Sequence, residues 1–371
     1  MDRKAFDIQP IGRFYEASAA IRRPKEIACF SYDDEHKFHL GESSMKFYYP
    51  PPLPADLNRG FESFQKLDDS ADEHLDALLE TIMALEKETE KPCEADIVTW
   101  RGMMTKILAA PFDHLNGFEM NATCFQVCGW PFIEENNSYK NEQKHIQKNQ
   151  RMPPGMASQD LMAYWVGYKF EALSVLNQPW DSTPRKEIEG REELIVNNNA
   201  QYCSVVRTAI GRTRLVIGGE VDAVWDCKPD RKEDPIHWVE LKTSAEIRND
   251  RDMVKYERKL LKFWAQSFLL GVPKIIVGFR DQQGIVHRLE ELETASIPVK
   301  VKKIGRGTWD GNICINFAAA FLEWLKTTIH EEGTWRIRKR EKSSLIEVFK
   351  MEESGTGDII SPAFSVWRSK T

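Results

Sequence analysis

The sequence has no cysteine pairing pattern. Its seven cysteines are an odd number, scattered through 371 residues without a Cys-x-x-Cys pair, so neither a disulfide framework nor a zinc site is expected. Cys124 and Cys128 stand four apart without a second ligand pair, and reduced core thiols are the better reading. No run of about 18 apolar residues occurs, so a membrane-spanning helix is excluded and no membrane role is expected. The opening Met1-Asp2-Arg3-Lys4-Ala5-Phe6-Asp7 lacks the apolar core of a secretory signal, and the expectation is a soluble, intracellular protein. Excess basic charge is missing too: the formal net charge of −6 argues against a uniformly basic, non-specific nucleic-acid binder but leaves room for a local groove. Low-complexity tracts, internal repeats and linker-like stretches are absent.

What is present is the material of a core. A hydrophobic fraction of 42% with 11 Trp suits one large folded domain over residues 1–371. Residues 1–58 are mixed, and Pro50-Pro51-Pro52-Leu53-Pro54 forces an extended crossing, so this segment is expected to wrap the domain surface. Helical apolar spacing marks a helix over about 72–88, and another is expected over about 158–176. Residues 97–130 read as a mixture of short strands, and 134–150 as a charged, Asn/Gln-rich loop before Pro153-Pro154-Gly155. After Asn199 the period becomes two, predicting antiparallel strands at 204–207, 214–217 and 220–225. A helix over 252–270 closed by Gly271, a buried strand at 274–280, a helix over 316–330 and a basic strand at 335–340 follow. The class is mixed α/β: largely antiparallel sheets flanked by helices, with the motif-bearing core at 97–290.

Chemistry concentrates in two of the strand segments. Gly218-Gly219-Glu220-Val221-Asp222 places two carboxylates on one strand face with Val221 on the other, and Glu240-Leu241-Lys242 repeats the device. Hard oxygen ligands converging from two strands, with an ammonium beside them, are what a magnesium-dependent phosphodiester hydrolase needs. The glycine pair permits close backbone approach. Taken alone, each acidic strand is more often a solvent face, and each cluster of Lys and Arg a solvated one. Tyr168, Trp225, Trp238 and Trp264 read as core, while His237 and His287 receive no role. Glu171, among Trp165, Tyr168 and Phe170, is odd, because a carboxylate in such company rarely stays buried unpaired.

The order strand-acid, strand-Glu-x-Lys, helix resembles the core of the PD-(D/E)xK nuclease superfamily. Trp100-Arg101-Gly102, Gly167-Tyr168-Lys169-Phe170-Glu171, Glu220-Val221-Asp222 and Glu240-Leu241-Lys242 together resemble, more narrowly, the motifs of the DXO family of RNA 5′-end decapping enzymes, nearest its fungal branch that interacts with a nuclear exoribonuclease. The likeness runs from about Arg23 to Trp335, with Gln266 matching the glutamine of the helix after the last motif.

The resemblance implies that Glu171, Asp222 and Glu240, with the Leu241 carbonyl, hold Mg2+ or Mn2+, and that Glu220 acts through water or a second ion. It implies that Lys242 and Gln266 hold the attacking water and that Arg101 meets a phosphate. Implied activities are removal of incomplete or NAD-type caps, pyrophosphate release from 5′-triphosphate RNA and 5′→3′ exonucleolysis, in 5′-end quality control. Implied partners are RNA with modified or unprocessed 5′ ends and a nuclear 5′→3′ exoribonuclease; the implied location is the nucleus. Two competitors are an interaction protein that stabilises that exoribonuclease, with catalysis secondary, and a DNA endonuclease of the wider superfamily. Arg101 and the Gly167–Glu171 motif disfavour the latter.

Overall fold

The period-two segments after Asn199 pair as the antiparallel strands Gln201–Ile210 and Thr213–Glu220 across Gly211-Arg212. Gly211 there takes φ +62°, the left-handed backbone that such a tight turn requires. The computed structural model describes residues 3–149, 157–231 and 234–370. Within it this hairpin lies inside a ten-stranded sheet ordered Arg3–Asp7, Leu345–Glu352, Thr334–Lys339, Phe118–Phe125, Trp130–Glu135, Ile97–Trp100, Thr213–Glu220, Gln201–Ile210, Ile21–Tyr32 and Phe38–Leu40. The short Ile97–Trp100 strand runs parallel to both of its neighbours; the other pairings are antiparallel.

The second sheet has seven strands: Ala55–Asp56, Ile285–Glu293, Lys274–Arg280, Trp238–Ala245, Ala223–Val224, Phe47–Tyr48 and Val175–Leu176. Its centre is a strand, helix, parallel strand crossover from Trp238–Ala245 through the Asp250–Leu270 helix to Lys274–Arg280. That helix begins where Asn249 Oδ1 accepts the Asp252 N–H at 3.0 Å, and ends at Gly271, φ +71°. The chain steps from the first sheet into the second at Val221-Asp222, between Thr213–Glu220 and Ala223–Val224. The mixed, largely antiparallel architecture matches the expectation. The first 58 residues supply strands to both sheets, and Phe30, Ala55 and Leu57 within them are fully buried.

Three segments differ from the sequence-based reading. The strand expected at 220–225 is divided, Glu220 ending Thr213–Glu220 in the first sheet and only Ala223–Val224 pairing in the second, because the chain changes sheets at Val221-Asp222. Arg101–Ala109 is a helix within the stretch read as short strands. Its Met103, Met104, Ile107 and Leu108 are buried on one side, a helical stripe too short to stand out beside the strand-like residues around it. Asn137–Asn149 is a helix where a loop was expected. The Asn136 side chain accepts the Tyr139 N–H at 3.4 Å, so its start is set by a cap rather than by apolar spacing. Pro153-Pro154-Gly155 lies outside the described residues. All seven cysteines are free thiols.

Candidate active site

The crossing between the sheets is where the acidic motifs meet. Glu220 ends its strand opposite Cys203, and the Val221 N–H donates to the Tyr202 carbonyl at 3.0 Å, which turns Val221 into the core. Glu220 and Asp222 then face the other way. On the Trp238–Ala245 strand, Leu241 is buried among apolar side chains and Glu240 and Lys242 share the opposite face. Asp222 Oδ2 accepts the Leu241 N–H at 2.6 Å, so the two motifs are joined directly.

Three glycines let the other residues approach. A Cβ on Gly218 would stand 2.7 Å from the Trp100 ring, and one on Gly219 would stand 2.7 Å from Arg101 Cβ. The glycine pair therefore admits Trp100 and Arg101 against the strand that carries Glu220. A Cβ on Gly278 would lie 2.6 Å from the Phe170 ring, so Gly278 seats the Ala157–Leu173 helix on the second sheet and sets the position of Glu171. Gly278→Ala is expected to cost about 1–3 kcal/mol through overpacking. It should also lower kcat more than stability alone explains, because the helix carrying Glu171 must shift. Thermal melting together with turnover below the melting transition checks this, and wild-type values for both would refute it.

Charge is arranged unevenly across the cluster. Glu240 is 1% exposed; its Oε1 lies 2.6 Å from Lys242 Nζ and 3.6 Å from Arg101 Nη1. Burial opposes its ionisation, but Lys242 and then Arg101 outweigh that and hold its carboxyl below the usual range. Burial likewise opposes the charge of Lys242, yet Glu240, Asp222 and Glu171 raise its pKa above the ordinary lysine value. The remaining acids go the other way. Burial first, then neighbouring carboxylates, push Asp222 up to about 7. Burial and then Asp222 push Glu171 well above its ordinary value, and burial chiefly raises Glu220.

These residues fit a divalent cation. Glu240 Oε2 and Arg101 Nη1 are buried without a hydrogen-bond partner among the described residues, which leaves an acceptor and a donor for groups supplied from outside the chain. No three of Glu171, Glu220, Asp222 and Glu240 bring ligand oxygens within 4.8 Å of one another. Glu171, Glu220 and Asp222 line a cavity of about 730 Å³, with Tyr168, Tyr202 and Lys46 also on its walls.

Not every expected residue is drawn in. Gln266 is half-buried on the Asp250–Leu270 helix, and no hydrogen bond joins it to the acids among the described residues. Trp238 and Trp264 are core as expected, at 3% and 2% exposure, but Tyr168 lines the cavity and Trp225 is half-exposed, stacked on Tyr48 with Lys274 over its ring. Both are partly buried and pack against the core of the second sheet, Tyr168 at its edge on the cavity. His237 and His287 lie outside the acidic cluster, and His287 pairs with Asp281.

Asp72, His74 and Glu134 form a separate group whose ligand atoms lie within 4.8 Å of one another. Burial opposes the charge on His74, but Glu134 and Asp72 raise its pKa, so the group reads as an ion-pair cluster. The His74 carbonyl accepts the Trp100 indole N–H at 2.9 Å, which steadies the residue before Arg101.

The two sheets joined through an acidic crossing define a metal-dependent nuclease of the PD-(D/E)XK type. A family model described as RAI1 like PD-(D/E)XK nuclease matches residues 22–365, and the chain belongs to that family. The decapping nuclease RAI1 of Aspergillus fumigatus is 82% identical over 371 residues, 100% of both chains. The crystal structure of Candida albicans Rai1 in complex with pU5-Mn2+ superposes with a TM-score of 0.91 at 29% identity and covers 100% of each chain. That of Scheffersomyces stipitis Rai1 in complex with (3′-NADP)+ and calcium ion gives 0.90 at 26% identity, covering 99% of this chain and 100% of the other.

Proposed function

We infer that this chain is a divalent-metal-dependent decapping hydrolase of RNA 5′ ends. The observation that carries the reading is the junction itself: Asp222, on the wall of the cavity with Glu171 and Glu220, is bonded to the Leu241 amide, next to buried Glu240 held between Lys242 and Arg101. The decapping names of relatives at 82% and 34% identity support the substrate class. The same reading takes residues 1–371 as one catalytic unit, because the chain passes repeatedly between the two sheets and the acidic motifs meet at one of those passages.

Glu171, Asp222 and Glu240, with the Leu241 carbonyl, are the groups proposed to hold the ion, and Glu220 to act through water or a second ion. Bound Mg2+ or Mn2+ supplies neutralising charge and Lewis acidity at the phosphate under attack. Arg101 presents a planar fork to a phosphate oxygen. Lys242 remains an ammonium under the field of Glu240, so it donates to the attacking water and does not take its proton. Gln266 is proposed to orient the same water. Recognition rests on the phosphate backbone and 2′-hydroxyls, with little base specificity.

Removal of incomplete and NAD-type caps, pyrophosphate release and 5′→3′ exonucleolysis are proposed as the activities, with a 5′-monophosphate end as their common product. The test is incubation with 5′-triphosphate, unmethylated-cap, NAD-capped and 5′-monophosphate RNAs in Mg2+, Mn2+ or chelator, beside Asp222→Ala/Glu240→Ala protein. Metal-dependent 5′-end release lost in the variant is the expected result. Equal inertness of both proteins would overturn the reading. Arg101→Ala is expected to lower kcat/KM on triphosphate RNA by about tenfold or more, the loss of a charge-assisted contact; an unchanged rate would remove Arg101 from the site.

Nuclear residence and docking to a nuclear 5′→3′ exoribonuclease are proposed on family resemblance. Retention of the pure exoribonuclease in a low-salt pull-down tests the docking, and no retention would end it.

A further inference from the structure

Among the cations lining the acidic cavity, Lys46 is half-buried and forms no ion pair with an acid among the described residues. Its backbone is fixed to the site: the Lys46 carbonyl accepts the Val224 N–H at 2.9 Å, just beyond Asp222. Phe47, next in the chain, pairs with Val224 on one side and Leu176 on the other. Asn177 follows Leu176, and its Oδ1 accepts from Lys46 Nζ at 2.6 Å. The Lys46–Asn177 bridge is thus carried by two short strands that pair with each other, one of which also pairs with the Ala223–Val224 strand next to Asp222.

The other cations are already engaged or solvated. Lys242 and Arg101, behind the wall that Asp222 and Glu220 form, lie against Glu240. Arg191, 4% exposed, spends its guanidinium on the carbonyls of Leu173, Tyr49, Pro50 and Ile188. Lys186 is exposed at the rim. Lys46 faces a neutral amide, while burial pulls its pKa down and Asp34 only partly offsets this. An amide partner orients an ammonium without neutralising it, and leaves its remaining protons for an anion. Lys46 and Asn177 also line an adjoining hollow of about 600 Å³, which shares Asp34, Ser44 and Ala200 with the acidic cavity. They stand on the boundary between the two spaces.

We propose that Lys46, oriented by Asn177, binds a non-scissile phosphate of the RNA where the strand passes between the acidic cavity and the adjoining hollow. This rests on the reading of the chain as a hydrolase of RNA 5′ ends. A strand whose scissile group sits among the carboxylates carries its next charges away from them, and Lys46 is the cation that lies on that boundary. Lysine, a point charge with three rotatable donors, suits a phosphate whose orientation is not set by chemistry.

The test compares wild type, Lys46→Met, Lys46→Arg and Asn177→Asp on 5′-triphosphate RNA in Mn2+ over a range of salt. For Lys46→Met, KM should rise by about tenfold, as for loss of one charge-assisted contact, with kcat within about twofold. The slope of log kcat/KM against log salt should shrink by about 0.7, the value for one phosphate contact on a single strand. Lys46→Arg should restore the slope. Asn177→Asp, which neutralises Lys46 in place, should repeat the Lys46→Met result and serves as the test if Lys46→Met melts early. A fall in kcat with KM and salt slope unchanged, or no change in any of them, would overturn the proposal. Inert wild-type protein would instead overturn the functional reading beneath it.

Discussion

Asp222→Ala protein is expected to release no 5′-end product from RNA while melting, in chelator, no lower than wild type. The two halves of this expectation have one cause. Asp222 is held near other carboxylates at a crossing where burial and Glu240 push its pKa up to about 7, so its charge is a cost to the fold in the absence of a cation. Removing it relieves that repulsion and sacrifices one hydrogen bond, from the Leu241 amide at 2.6 Å. Activity has no such compensation. Ion binding supplies several kcal/mol of transition-state stabilisation, and each 1.36 kcal/mol is a factor of ten in rate, so a loss of about a thousandfold or more follows. Melting by circular dichroism in chelator, with RNA hydrolysis in Mn2+, separates the effects. A large drop in melting temperature would assign Asp222 to the structure instead of the chemistry, and retained hydrolysis would remove it from the site.

The second large effect is the reversal of pH dependence by metal. Asp222, Glu171 and Glu220 all have pKa values raised in the folded chain, so between the ordinary carboxylate range and about pH 7 the folded state binds more protons than the unfolded one. Stability from these groups is present at acid pH and lost as pH rises through their folded values. Glu240, whose pKa is lowered, contributes in the opposite sense and only at more acid pH. In chelator the melting temperature should therefore fall from about pH 5 to about pH 8 through these groups. Metal binds the deprotonated carboxylates, so its affinity rises with pH. At a free ion concentration of about 100 times Kd it adds about 2.7 kcal/mol, or about 3 °C for a chain of this length. Melting curves with and without Mn2+ at three pH values decide this. A metal-induced shift that is independent of pH would show that these carboxylates do not take the ion.

The motifs on strands were legible because strand geometry is local. Alternation alone puts Glu240 with Lys242; it also groups Glu220 with Asp222, although the strand ends at Glu220 and Asp222 lies in the step to the second sheet. Two glycines before Glu220 announce a close approach that Trp100 and Arg101 fill. Arg101 and Gln266 were legible only through family likeness, since nothing in Trp100-Arg101-Gly102 distinguishes a site arginine from a surface one, whereas Glu171 already stood out as a carboxylate among aromatics. The Arg101–Ala109 helix escaped because its buried stripe is only two turns long, and Asn137–Asn149 because its start lies in one Asn136 cap. Lys46 carried no sequence signal, since its setting is made by Val224 and Asn177, which are remote in the chain.

The sequence by itself determined the mixed α/β class, the reduced thiols, the acidic pairs and their facing, all set by composition and the two-residue period of a strand. Only the tertiary structure decided that the chain changes sheets at the Val221-Asp222 step, that Gly278 seats the helix bearing Glu171, and that Lys46 bridges to Asn177 on the wall of the acidic cavity. Those are contacts between segments far apart in the chain, and which distant surfaces meet is fixed by the packing of the whole core rather than by any local pattern.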